Sequence, residues 1–198
     1  MGYSDLLRSK DLTDEERTEY IGFIYKEASR LTNLSEKLLA ISRLDSHYPI
    51  TQEDRFSVDE QIRDIILSMQ VAWSEKDLRV EVDMEETEYL SNKDLCYLVW
   101  QNLISNAVKY TQEGGEISIK LYQERESIIF SITNTGETLR GKEDLIFQSF
   151  YTSDTSGKEK GTRLGLPLVK KVLDRLGGSI TVECTEHTKF TVTLPLKA

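Results

Sequence analysis

Leu98-Val99-Trp100-Gln101-Asn102-Leu103-Ile104-Ser105-Asn106-Ala107-Val108-Lys109-Tyr110-Thr111 sets two asparagines, a lysine and a tyrosine into an otherwise apolar segment. Residues at i, i+4 and i+7 align on an α-helix. The spacing therefore predicts that Asn102, Asn106 and Lys109 project together while Leu98, Leu103, Ala107 and Val108 pack inward. Two neutral amides and an ammonium in one line suit a magnesium-bound polyphosphate: amide oxygens are hard ligands for Mg²⁺, and the ammonium neutralises phosphate charge. The alternative is an ordinary amphipathic helix with a solvated polar face. The segments on either side decide between the two.

The chain has 198 residues, enough for one ordinary domain plus a smaller appended element, and its 38% hydrophobic content supplies a core. No apolar run approaches the roughly 18 residues that a membrane span needs, and the N-terminus has no signal-peptide pattern. A net charge of −9 argues against a nucleic-acid partner, which requires a basic face to displace counterions. Any polyphosphate must then be held by a local site. Cys96 and Cys184 lie far apart without CxxC spacing or clustered histidines, so both are expected to be free thiols.

Working outward, Thr13-Asp14-Glu15-Glu16 is a capping box that starts a long helix. Ile21, Ile24, Ala28, Leu31, Leu34, Leu38, Ile41 and Leu44 then recur at three- and four-residue spacing. Such a stripe needs other helices to cover it, most simply those of a second copy of the chain. Residues 47–54, with Pro49 and no periodicity, read as a linker between a helical region at 1–46 and a second region at 55–198. In that second region the pattern predicts helices over 58–71, 92–109 and 164–176, the last ended by Gly177-Gly178. Strands are predicted over 78–84, 116–121, 127–132, 179–182 and 190–194. Helices interleaved with a largely antiparallel sheet give an α+β class, a two-layer α/β sandwich.

Taken in order, four segments resemble the signature boxes of the sensor histidine kinase catalytic domain, of the ATPase superfamily shared with gyrase B, Hsp90 and MutL. Residues 102–110 resemble its N-box, and Asn134-Thr135-Gly136-Glu137-Thr138-Leu139 stands in place of its Asp-x-Gly-x-Gly box. Ile146-Phe147-Gln148-Ser149-Phe150-Tyr151 is similar to its F-box. Gly161-Thr162-Arg163-Leu164-Gly165-Leu166 looks like the second glycine-rich box. The resemblance implies a Bergerat-type ATP-binding fold after a long dimerisation helix, with ATP and Mg²⁺ as cofactors. It gives Asn106 the metal and, with Lys109, the catalytic role. Asn102, Lys109, Tyr110, Asn134 and Gly136 join the nucleotide site, as do Gly161, Thr162, Arg163, Leu164 and Gly165, where backbone amides approach the triphosphate. Residues 136–162 would close as a lid.

The first 46 residues are similar to the part of the family's dimerisation domain that follows its phosphoacceptor histidine. That histidine is not among these residues. His47 sits in the linker without the family's acidic neighbour and proline, His187 lies in a turn between C-terminal strands, and both are expected to be solvated surface groups. The resemblance thus implies the catalytic part of a bacterial two-component sensor kinase. It would transfer the ATP γ-phosphate to a histidine on its own or a partner protomer, for relay to a response regulator. A homodimeric parent anchored in the membrane by other segments is implied, with this part on the cytoplasmic side and unable to phosphorylate itself.

Three departures bear on that expectation. Asn134 replaces the acid that accepts the adenine amine. A bond to a neutral acceptor contributes about 0.5 to 1.5 kcal/mol against about 1.5 to 3 for a charged one, so ATP is expected to bind roughly tenfold more weakly. Thr138 replaces a glycine, and Arg163 either crowds the phosphates or clamps them in a bidentate manner. Residues 158–175 hold six basic and two acidic side chains, an island of positive charge in an acidic chain that favours the clamp. The rival reading is a degenerate kinase that serves as a non-enzymatic dimeric signalling module.

Overall fold

The computed structural model describes residues 6–7, 12–45, 53–136, 141, 145–148 and 164–196. Helix α1 (Asp14–Asp45) begins at the predicted capping box: the Glu16 amide donates to Thr13 Oγ1 at 3.1 Å and the Thr13 amide donates to Glu16 Oε2 at 2.9 Å. Much of its apolar stripe faces solvent, with Ile21 54% and Leu31 64% exposed. Its last turns do not: Ala40, Ile41 and Leu44 pack on the core of the following region.

That region runs β1 (Asp54–Ser57), α2 (Val58–Ser68), α3 (Gln70–Glu75), β2 (Arg79–Met84), β3 (Glu88–Ser91), α4 (Lys93–Tyr110), β4 (Glu116–Glu124), β5 (Ser127–Asn134), α5 (Gly165–Leu176), β6 (Ser179–Cys184) and β7 (Thr188–Pro195). Five strands form one sheet in the order β2-β4-β5-β7-β6. The β2–β4 pair is parallel and the other pairs are antiparallel. The sheet is thus largely antiparallel, as the pattern predicts. Strands β1 and β3 form a separate antiparallel ribbon.

The core lies between the sheet and helices α2, α4 and α5. Period-two burial follows from the pleat: Ile117, Ile119 and Leu121 of β4 point inward, as do Phe190, Val192 and Leu194 of β7. Val99, Trp100, Leu103 and Ala107 form the inner face of α4, and Leu168, Val169, Val172 and Leu173 that of α5. At the centre the Trp100 and Phe130 rings sit 4.9 Å apart in a tilted arrangement. The predicted helix over 58–71 is instead broken at Met69, where the Met69 amide bonds to Ile66 O before α3 resumes. The four-residue strands β1 and β3 carry too little pattern to be read from the sequence. Helix α5 ends at Gly177 as expected, with the Gly178 amide donating to Leu173 O at 2.8 Å.

Candidate functional site

Helix α4 is held at its N-terminus by Asn92, whose side chain accepts the Leu95 amide at 2.9 Å. From its inner anchor, Asn106 and Lys109 emerge half-buried and Tyr110 is 49% exposed. The Lys109 ammonium donates to the Tyr110 hydroxyl at 3.0 Å and lies 4.4 Å from the centre of that ring. A cation held over an aromatic face is attracted by the ring quadrupole, so charge and ring form one unit.

Asn102 does not stand beside them in solvent. It is 4% exposed, its Nδ2 donates to Leu98 O at 2.7 Å, and its Oδ1 accepts from the Lys37 ammonium of α1 at 2.8 Å. The cause is α5, which packs over this part of α4 and begins at Gly165. A Cβ on Gly165 would lie 2.9 Å from Asn102 Oδ1, so only a glycine lets the start of α5 come this close. Among the described residues no side chain caps α5, and its first turn holds no acid. Its leading amides therefore keep the positive end of the helix dipole available to an anion.

One further segment closes on α4 from the sheet. Asn134 ends β5 and is buried, and its Nδ2 donates to Thr135 O at 3.1 Å, which makes Oδ1 the accepting end. Gly136 follows at φ +136°, and a Cβ there would come within 2.6 Å of Tyr110 O. Backbone and close approach both demand glycine. Asn106, Lys109, Tyr110, Asn134 and Gly136 thus collect at the C-terminal end of α4. Asn102, Leu164 and Gly165 collect one to two turns earlier. Leu164 is buried at 1% exposure and its carbonyl accepts the Leu168 amide, so its part is to seat α5. Gly161, Thr162 and Arg163, with Thr138 and most of the expected lid, lie outside the described residues. His47 does too, while His187 is exposed in the β6–β7 turn.

Lys37 is the contact that sequence reasoning missed. The periodicity assigns Leu38 to the apolar stripe, but Leu38 is 45% exposed and Lys37 turns inward instead. Burial holds the Lys37 ammonium below its ordinary pKa. Its three-, four- and seven-residue spacing to Leu34, Ile41 and Leu44 was the available signal.

The profile of the histidine kinase-, DNA gyrase B- and HSP90-like ATPases matches residues 91–198. The heme sensor protein HssS of Staphylococcus aureus, strain JH9, is 36% identical over 195 residues, 97% of this chain. The chain spans 42% of the length of that relative. Among solved structures, full-length ShkA in complex with AMPPNP superposes with a TM-score of 0.80 at 22% identity, over 98% of this chain and 41% of that one. The histidine kinase ThkA in complex with the response regulator TrrA gives 0.75 at 23% identity, over 98% and 56%. At these identities the superpositions show a shared fold. The matched profile covers more than half of the chain, which belongs to the family of histidine kinase-, DNA gyrase B- and HSP90-like ATPases.

Proposed function

We propose that residues 55–198 bind Mg·ATP and act as the catalytic domain of a sensor histidine kinase. The γ-phosphate would pass to a phosphoacceptor histidine outside these residues and then to a response regulator. The observation that carries the reading is the double approach of backbone to α4: Gly136 against Tyr110 O and Gly165 against Asn102 Oδ1. Gly136 seats backbone at the helix end that presents an amide, an ammonium and an aromatic ring together, and Gly165 brings the start of α5 against the same helix about two turns earlier. Such a cradle suits a nucleotide, since it offers a flat face, an amide acceptor and two sources of positive potential.

In this reading Asn106 holds Mg²⁺, which when bound neutralises the phosphates. Lys109 and Arg163 add positive charge, Tyr110 and Asn134 hold the purine, and Gly161, Thr162 and Gly165 admit backbone donors. Catalysis of phosphoryl transfer is positioning and electrostatics, so a domain without a nucleophile is sufficient. The likeness to ThkA, solved with its response regulator, supports the partner assignment. The exposed apolar residues of α1, among them Ile21, Tyr25 and Leu31, support dimerisation through residues 1–46. Residues 47–54 would then be the linker. No helix among the described residues is long and apolar enough to cross a membrane. An ATP-consuming core works on the cytoplasmic side, so an anchored parent carries its membrane segments elsewhere.

Calorimetric titration of the 198-residue chain with Mg·ATP and Mg·ADP, with and without chelator, tests the proposal. Magnesium-dependent binding in the micromolar to sub-millimolar range is expected, together with no incorporation of label from γ-labelled ATP. Failure to bind at millimolar nucleotide overturns it in favour of a non-enzymatic dimeric signalling module.

A further inference from the structure

Lys76 caps α3 and precedes β2, outside the segment matched by the family profile. Its ammonium reaches the C-terminal end of α4. There it donates to Val108 O at 3.0 Å, to Lys109 O at 2.7 Å and to Thr111 O at 3.0 Å. An ammonium has three donors, and here three backbone carbonyls take all of them. The last carbonyls of a helix have no partner within it and carry the negative end of its dipole, so a cation at this point satisfies both deficits.

Two of the carbonyls flank Tyr110, whose own carbonyl is the surface against which Gly136 packs. The Lys76 main chain grips the same connection, since Lys76 O accepts the Gly114 amide at 2.9 Å. Three residues on, the Arg79 amide donates to Gly115 O at 2.9 Å. At the far end of this loop the Glu116 amide donates to Thr135 Oγ1 at 2.8 Å, next to Asn134 and Gly136. Lys76 therefore fixes the end of α4 that carries Lys109 and Tyr110 together with the loop whose far end reaches the segment of Asn134 and Gly136.

We propose that Lys76 is a positioning residue for the nucleotide, acting through the carbonyls of Val108, Lys109 and Thr111 on the Lys109 and Tyr110 side chains. The proposal rests on the nucleotide reading above. Removing the ammonium frees the last turn of α4 to fray, and the Lys109–Tyr110 unit then loses its fixed place beside Gly136. A purely structural lysine would lower stability and leave affinity alone.

The test is calorimetric titration with Mg·ADP of the unmodified chain, of Lys76→Met and Lys76→Arg, and of Ile62→Val, a core change in α2 away from the site. All are measured well below their melting temperatures. Lys76→Met is expected to raise Kd about tenfold and Ile62→Val to leave it unchanged. Lys76→Arg, which returns a cation to the helix end, is expected to recover at least half of the loss on a logarithmic scale. Affinity within twofold of the unmodified chain in Lys76→Met, or equal loss in the Met and Arg variants, overturns the proposal. Should circular dichroism find Lys76→Met unfolded, Lys76→Gln takes its place in the comparison. No binding of Mg·ADP by the unmodified chain overturns the nucleotide reading itself, a result recorded before any variant is read.

Discussion

At Gly165 a single hydrogen atom separates two helices from a clash. A methyl group placed there meets Asn102 Oδ1, which is held on one side by the Lys37 ammonium and through its own Nδ2 by Leu98 O. Gly165→Ala is therefore expected to break the Lys37–Asn102 bond at a cost of about 1 kcal/mol, read from urea unfolding, and to weaken Mg·ADP severalfold. Unchanged stability and affinity would mean that α5 does not start against α4. Asp59 allows a test by pH. It is 2% exposed, and its carboxylate accepts from the Ser57 hydroxyl at 2.7 Å and the Thr87 amide at 3.0 Å, with Arg63 at 3.2 Å. Burial alone would raise its pKa. The bonds from the Thr87 amide, the Ser57 hydroxyl and its own amide, with the Arg63 guanidinium, together outweigh burial and hold it below the ordinary 3.8. A depressed carboxylate stabilises the fold above its unfolded pKa, and that contribution is lost as pH falls through the folded value. Asp59→Asn is expected to cost about 2 kcal/mol at neutral pH, a difference that shrinks below pH 3.8. A pH-independent difference in unfolding free energy would contradict the assignment.

At the scale of elements, α1 divides into two parts with different fates. Its first turns expose apolar side chains, whereas Ala40, Ile41 and Leu44 lie on the core and Lys37 reaches α4. Ile41→Asp should detach the last turns at a cost of about 1 to 2 kcal/mol while the sandwich stays folded. Hydrogen exchange would then show amides 34–45 losing protection and those of β5 and β7 keeping it; equal acceleration of both would count against this division. The elements also differ in how far they could be read in advance. Helix α4 is legible because its apolar period, its Asn92 cap and its polar line agree over five turns. Strands β4, β5 and β7 are legible from alternation. The β1–β3 ribbon is not, because Asp54–Ser57 and Glu88–Ser91 are four residues each and stabilise one another only across a long stretch of chain. For the same reason the line of Asn102, Asn106 and Lys109 was legible as a face of a helix. The burial of Asn102 was not, since it depends on Lys37 and Gly165, which are distant in sequence.

For the whole molecule, the two thiols report on different openings of one structure. Cys96 sits in the first turns of α4 with no exposure, and burial pushes its thiol up to about 12, so at neutral pH it is both covered and protonated. Cys184 ends β6 at the edge of the sheet and is half-buried. The nucleophile is the thiolate, so a thiol reagent meets Cys184 through local fluctuation and Cys96 only when α4 leaves the core. The helix that carries Cys96 also carries Asn102, Asn106, Lys109 and Tyr110. A ligand of the native site must therefore oppose the opening that exposes Cys96. Where reclosing is faster than labelling, the rate falls by the factor by which binding stabilises the native state. That factor is about ten when nucleotide stands at tenfold its Kd. Labelling of Cys96 is accordingly expected to slow about tenfold in Mg·ADP and to recover when chelator is added, while labelling of Cys184 stays constant. Followed residue by residue by mass spectrometry, equal slowing of both thiols would place the ligand's effect on the sheet edge. Slowing of neither, in a chain that binds nucleotide, would detach the site from α4.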